Sequence, residues 1–159
     1  MIPEIVTQYI AKRIETTPII TEPYPYLIVR QLFPNAFYEE MLRRQPGREH
    51  YIHPMKLGGL NYAAGGEEAF VLFDFSLPHA SLERETRNFW HDMHQYLGGA
   101  FMQVILSKFA PYVQERFSGR NRVELAIRDG LGWVRDGYYL GPHADQVKRV
   151  VICSGKVYY

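Results

Sequence analysis

Residues 81 to 109 carry apolar side chains at helical intervals twice over, and a chain with two such faces must supply something for them to cover. Leu82, Phe89, Trp90, Met93 and Leu97 form the first face, with Ser81 placed to cap its start and Gly98-Gly99 placed to stop it. Phe101, Met102, Ile105, Leu106 and Phe109 form the second, as far as Pro111, which should bend or restart the helix. A sheet is the natural cover, and strand texture follows. Val123, Leu125 and Ile127 alternate with polar residues up to Arg128, Asp129-Gly130 reads as the tight turn of a hairpin, and Arg135-Asp136-Gly137 as a second β-turn. Tyr138 to Leu140 and Val147 to Ile152 are further strand-like runs. The expectation is an α+β fold.

The first fifty residues extend the pattern. Ile5, Tyr9, Ile10 and Ile14 predict a helix from Pro3 to about Ile14, and Glu22 to Arg30 reads as an extended entry into an edge strand because prolines precede its branched residues. Asn35 is placed to cap a short helix that buries Phe37, Met41 and Leu42, with Arg43-Arg44 as a solvated last turn before Gln45-Pro46-Gly47. From His50 to Phe75 the texture is strand and loop, with apolar pieces at Tyr51-Ile52 and Ala69 to Phe73. Gly58-Gly59 and Gly65-Gly66 mark turns there, and their spacing does not make a phosphate-binding loop.

A chain of 159 residues can bury its own core as a single domain over 1–159. Its formal net charge of +1 offers no field to recruit nucleic acid or an anionic membrane, and no apolar run reaches the roughly 20 residues of a span. The single cysteine, Cys153, suits a reducing compartment, and with no export signal at Met1 to Glu4 the expected location is cytoplasmic. Aromatic residues reach 14%, which favours strands and an aromatic-lined interior.

Six histidines are candidates for chemistry. His50 and His53, three apart in strand texture, would face opposite sides, and His79 reads as a loop residue. His91 and His94 share a helix face, but the sequence points to no third ligand for a metal. His143 and Asp145 differ because a strand-like run delivers them: residues two apart on a strand point the same way, so an imidazole and a carboxylate stand side by side. That is two-thirds of the facial triad that holds non-heme iron.

The segment Gly137-Tyr138-Tyr139-Leu140-Gly141-Pro142-His143-Ala144-Asp145 resembles the Gly-Tyr-x-Leu-Gly-Pro-His-Thr-Asp segment of bacterial Fe(II)/2-oxoglutarate-dependent dioxygenases, with Ala144 in place of Thr. Pro23 to Val29, Phe33 to Glu40 and Leu77 to Phe109 resemble the opening strand, the following helix and the paired helices of the same group, in the same order. The resemblance implies N-terminal helices packed on a double-stranded β-helix, a jelly-roll or cupin-like sheet. It implies Fe(II) and 2-oxoglutarate as cofactors, His143 and Asp145 as metal ligands with no catalytic residue beyond them, and hydroxylation of a small-molecule or peptide substrate.

One departure stands out. The family places a distal His and a following Arg or Lys well downstream, and none of the residues after Asp145 is His. Lys148, Arg149 and Lys156 precede where that His would fall. The sequence therefore reads as truncated or frame-shifted, with an incomplete barrel, open strand edges and a tendency to dimerise through them. Two other readings stand beside the oxygenase. One is a jelly-roll-like module that binds carbohydrate or peptide in an aromatic groove. The other is a self-associating chain in which a second copy supplies the missing His, from His91 or His94.

Overall fold

The computed structural model describes residues 1–53, 70–116, 118 and 129–134. They fall into two compact units, each assembled from separated parts of the chain: Met1–Gln45 with Arg84–Glu124, and Pro46–Glu83 with Leu125–Tyr159. Helices build the first and an antiparallel sheet the second, so the fold is mixed helix and sheet as expected.

In the helical unit, α1 spans Glu4–Thr16. Pro3 starts it from extended backbone, and its carbonyl accepts the amides of Val6 and Thr7 at 3.0 and 3.2 Å. Val6, Ile10 and Ile14 are buried, whereas Ile5 is 77% exposed. The inward stripe therefore follows a step of four from Val6, and Ile5, expected inside, falls one residue off it. Thr17 ends the helix because Pro18 pushes the residue before it into extended backbone.

The chain then turns back on itself, and Ile20 and Tyr26 exchange backbone hydrogen bonds of 2.8 and 2.9 Å around a turn that contains the cis Glu22-Pro23 peptide. This single bridge is all that forms of the edge strand expected at 22–30 among the described residues. Pro23 and Pro25 have no amide to donate, so neither can complete a ladder pair in this stretch. Arg13 Nη2 and the Tyr9 hydroxyl hold the stretch against α1 by donating to the carbonyls of Arg30 and Gln31 at 2.6 and 3.3 Å.

Helix α2, Asn35–Arg43, departs from expectation at both ends. Pro34, not Asn35, occupies the cap position and accepts the Tyr38 amide at 2.9 Å, so Asn35 is the first helical residue with no capping bond. Phe37 is buried but Leu42 is exposed. Arg44, expected to be solvated, is instead tied down. Its Nε pairs with Glu40, its Nη1 lies 3.7 Å from Glu85, and its guanidinium sits 5.6 Å above the Phe89 ring.

Helix α3, Arg84–Tyr96, runs through a π-helical turn, Leu97–Phe101, directly into α4, Met102–Arg116. Gly98 and Gly99 therefore do not end the helix, and Pro111 lies inside α4 without restarting it. Helices cover helices here. The turn and α4 contact α1, the Phe37 and Phe89 rings lie 5.7 Å apart, and the Trp90 indole, 2% exposed, donates to the Arg44 carbonyl at 2.6 Å.

In the second unit, β1 (Phe70–Asp74) pairs antiparallel with β2 (Gly130–Val134), from Phe70 opposite Val134 to Asp74 opposite Gly130. Gly130, expected in a tight turn, is thus a strand residue paired with a distant segment. A side chain there would run into the Phe73 carbonyl oxygen, which accounts for the glycine. On its other edge β1 bridges Ile52 to Leu72 through two 2.8 Å hydrogen bonds, after a 3₁₀ turn at Arg48–His50. Phe73 is fully buried between Tyr51, Phe75 and His79. The glycine pairs at 58–66 and the runs 123–128, 138–140 and 147–152 lie outside the described residues.

Two outcomes are expected from the α2–α3 contact. Trp90→Ala should cost about 3–5 kcal/mol in urea unfolding, whereas Trp90→Phe, which keeps most of the apolar volume but loses the hydrogen bond to the Arg44 carbonyl, should cost about 1–3 kcal/mol. Glu40 is held below the ordinary carboxylate value of 4.5, first by the hydrogen bond from Arg44 and then by the charges of Arg43 and Arg44 against opposing desolvation. A lowered carboxylate contributes stability above its unfolded value and loses it as pH falls through the folded one. Acid titration of the unfolding midpoint below pH 4.5 should therefore flatten slightly in Glu40→Gln.

Candidate functional site

Polar side chains with chemical potential gather in the sheet unit where β1 ends. Asp74 is 7% exposed, and its Oδ1 accepts the Ser76 amide at 2.9 Å and the Ser76 hydroxyl at 2.5 Å. An aspartate that accepts from the residue two ahead makes a side-chain turn, and this one stops the strand. The Asp74 carbonyl takes the Leu77 amide at 3.3 Å and faces His79 Nε2 at 2.5 Å. With that nitrogen as donor, Nδ1 is left as the acceptor. The imidazole stacks on Phe73 at 3.9 Å between centroids, and the His79 backbone has a positive φ of 41°. His79 is a loop residue, as expected, and its ring also packs against the end of the sheet.

A second cluster lies on the 3₁₀ turn. His50 Nδ1 is 3.3 Å from the Ser81 hydroxyl and Nε2 is 3.4 Å from the Glu49 carboxylate. Ser81, expected to cap α3, turns to His50, and the helix begins three residues later at Arg84. His50 belongs to a helical turn, not the strand its neighbours suggested. Hydroxyl, imidazole and carboxylate are thus neighbours, but Glu49 is 74% exposed, so water screens its charge. Beside this cluster the Arg48 guanidinium lies 4.2 Å over the Trp133 ring on β2, an aromatic and cationic surface.

His91 is exposed and His94 half-buried on α3, and among the described residues no group of three or more His, Cys, Asp or Glu is placed to hold an ion. His143 and Asp145 lie outside the described residues, as do Lys148, Arg149 and Lys156. The nearest described strand to them in sequence is β2, which ends nine residues before His143. In the helical unit burial pushes the Tyr96 phenol up to about 12, which keeps it a neutral donor. No described helix is long and apolar enough to cross a membrane.

No family model, no curated protein and no solved structure matches the chain.

Asp74 escaped sequence reasoning, although Asp-x-Ser after an apolar run is a turn signal that could have found it. Its role is separable by mutation. Asp74→Ala removes the acceptor of two hydrogen bonds from Ser76 and should cost about 1–3 kcal/mol in chemical denaturation. Ser76→Ala removes one hydrogen bond and should cost about 0.5–1.5 kcal/mol. Equal losses would mean the carboxylate does not organise the turn.

Proposed function

We propose that this chain is of the Fe(II)- and 2-oxoglutarate-dependent oxygenase kind, in a reducing, cytoplasmic setting, with His143 and Asp145 as two metal ligands. The nine-residue segment from Gly137 to Asp145 carries the reading, since it matches the dioxygenase pattern at every specified position except Ala144. An imidazole nitrogen and a carboxylate oxygen are a donor pair suited to Fe(II). On this reading the antiparallel pair β1 and β2 belongs to a jelly-roll-like double-stranded β-helix, with β2 leading toward the ligand pair. The chemistry supplied when metal and co-substrate are bound is hydroxylation of a C–H bond. The chain's own share is to offer His143 and Asp145 on one face and to line the approach with apolar and aromatic side chains that exclude water. The substrate is a small molecule or peptide, nucleic acid and membrane are not partners, and copies associate through strand edges.

Residues 146–159 contain no His, so the two ligands should hold Fe(II) weakly. The alternative, a non-catalytic module that binds carbohydrate or peptide, draws on the Arg48–Trp133 surface, where an indole face and a guanidinium are offered together. Anaerobic titration with Fe(II) and 2-oxoglutarate separates the two. The oxygenase reading expects a weak visible charge-transfer band that disappears in His143→Ala. No band in the parent, or the same band in the variant, would overturn it and favour the binding module.

A further inference from the structure

Helices α3 and α4 form one helical run from Arg84 to Arg116, interrupted only by the π turn Leu97–Phe101. A π turn closes i→i+5 hydrogen bonds, so it holds one more residue per turn than an α-helix. The buried residues reveal which residue is extra. Trp90, Met93, Tyr96, Leu97, Phe101 and Ile105 are all buried, yet at about 100° per residue they would spread over about 180° of an unbroken α-helix. Removing one residue between Leu97 and Phe101 gathers the same six into about 120°, the width of an ordinary core-facing stripe. The apolar pattern is that of a continuous helix with one residue added.

The composition of the turn gives no packing reason for the addition. Gly98 and Ala100 are exposed, and a Cβ built on Gly99 would meet nothing within 4 Å. Alanine would fit at Gly99 and would favour the helix, because glycine carries the larger backbone entropy cost. The turn also lies at a junction. On one side α3 is joined to α2 through Phe37–Phe89 and Trp90–Arg44. On the other, α4 contacts α1, and Lys108 Nζ donates to the Glu15 carbonyl at 2.6 Å. An ion pair between the Met1 amine and Asp92 also ties the start of α1 to α3 across it.

We infer that the Leu97–Phe101 π turn is a single-residue insertion that acts as a hinge, at which the α1–α4 pair moves relative to the α2–α3 pair. Extra length and glycine together lower the cost of local opening at this one place, while the buried stripe on either side stays in register. The inference is independent of any metal chemistry.

Deletion of Gly99 tests it on the full chain, with deletion of Ser107 in the middle of α4 as the control. Deleting a residue from a packed helix ordinarily throws every following side chain out of register, and the Ser107 deletion should unfold the unit. Deletion of Gly99 should instead restore register, retain the fold and raise the melting temperature by about 2–4 °C. By hydrogen exchange read by mass spectrometry, the amides of residues 97–101 in the parent should exchange roughly tenfold faster than those of the flanking turns. That excess should vanish in the deletion and shrink several-fold in Gly99→Ala, which keeps the length. Unfolding of the Gly99 deletion would overturn the insertion. Uniform exchange across residues 90–105 of the parent would overturn the hinge.

Discussion

The helical unit depends on one buried indole. Trp90 fills the space between α2 and α3 and, by donating to the Arg44 carbonyl, satisfies a backbone acceptor at the end of α2 that would otherwise lack an intrahelical partner. An apolar side chain of the same size would bury as much area without making that hydrogen bond. From this contact the neighbouring ones follow: Phe89, one residue earlier, reaches Phe37, and Arg44, whose carbonyl is engaged, lays its guanidinium over Phe89 while pairing with Glu40. Helix α2 is short, so this cluster rather than its own propensity keeps it formed.

The sheet unit has an equivalent in Phe73, which is fully buried with rings on three sides. It lies on β1 between the Ile52 bridge and β2, so the strand is central in the described sheet although it is only five residues long. Asp74 then stops the strand and turns the chain, and His79 closes the end of the aromatic cluster. A buried carboxylate is tolerated at this point because its oxygen accepts two hydrogen bonds from a single residue, Ser76. The proposed ligands follow β2 in sequence, so this packed strand pair is the anchor from which the chain proceeds to them.

Much of this was legible in residue order. Helices at 4–16 and 35–43, helical texture on both sides of Gly98-Gly99 and a strand at 70–74 follow from apolar spacing, which reports local geometry directly, whereas the continuity of α3 into α4 does not. His143 and Asp145 were read as a pattern of residue types and lie outside the described residues, the Asp74 turn had a local signal in Asp-x-Ser, and the His50–Ser81 contact had none. That contact joins residues through the fold rather than through periodicity. Asn35 and Ser81 show why capping rules misplace residues: each has the right side chain, but Pro34 already supplies the first turn and His50 offers Ser81 another partner.

By itself the sequence determined which segments coil and which extend, because hydrophobic spacing and the missing amides of proline act over a few residues. Tertiary structure decided which face of each element turned inward. Ile5 and Val6 are adjacent and equally apolar, and only contact with the other helices buried Val6 and left Ile5 in water. It also decided that Gly98-Gly99 would continue a helix rather than end one, since burying Leu97 and Phe101 together outweighs the cost of a wider turn with two glycines. Gly130 makes the same point for the sheet. Asp129-Gly130 has the residues of a tight turn, yet a strand more than fifty residues earlier in the chain claims it, because ladder pairing depends on which backbones the folded chain brings together.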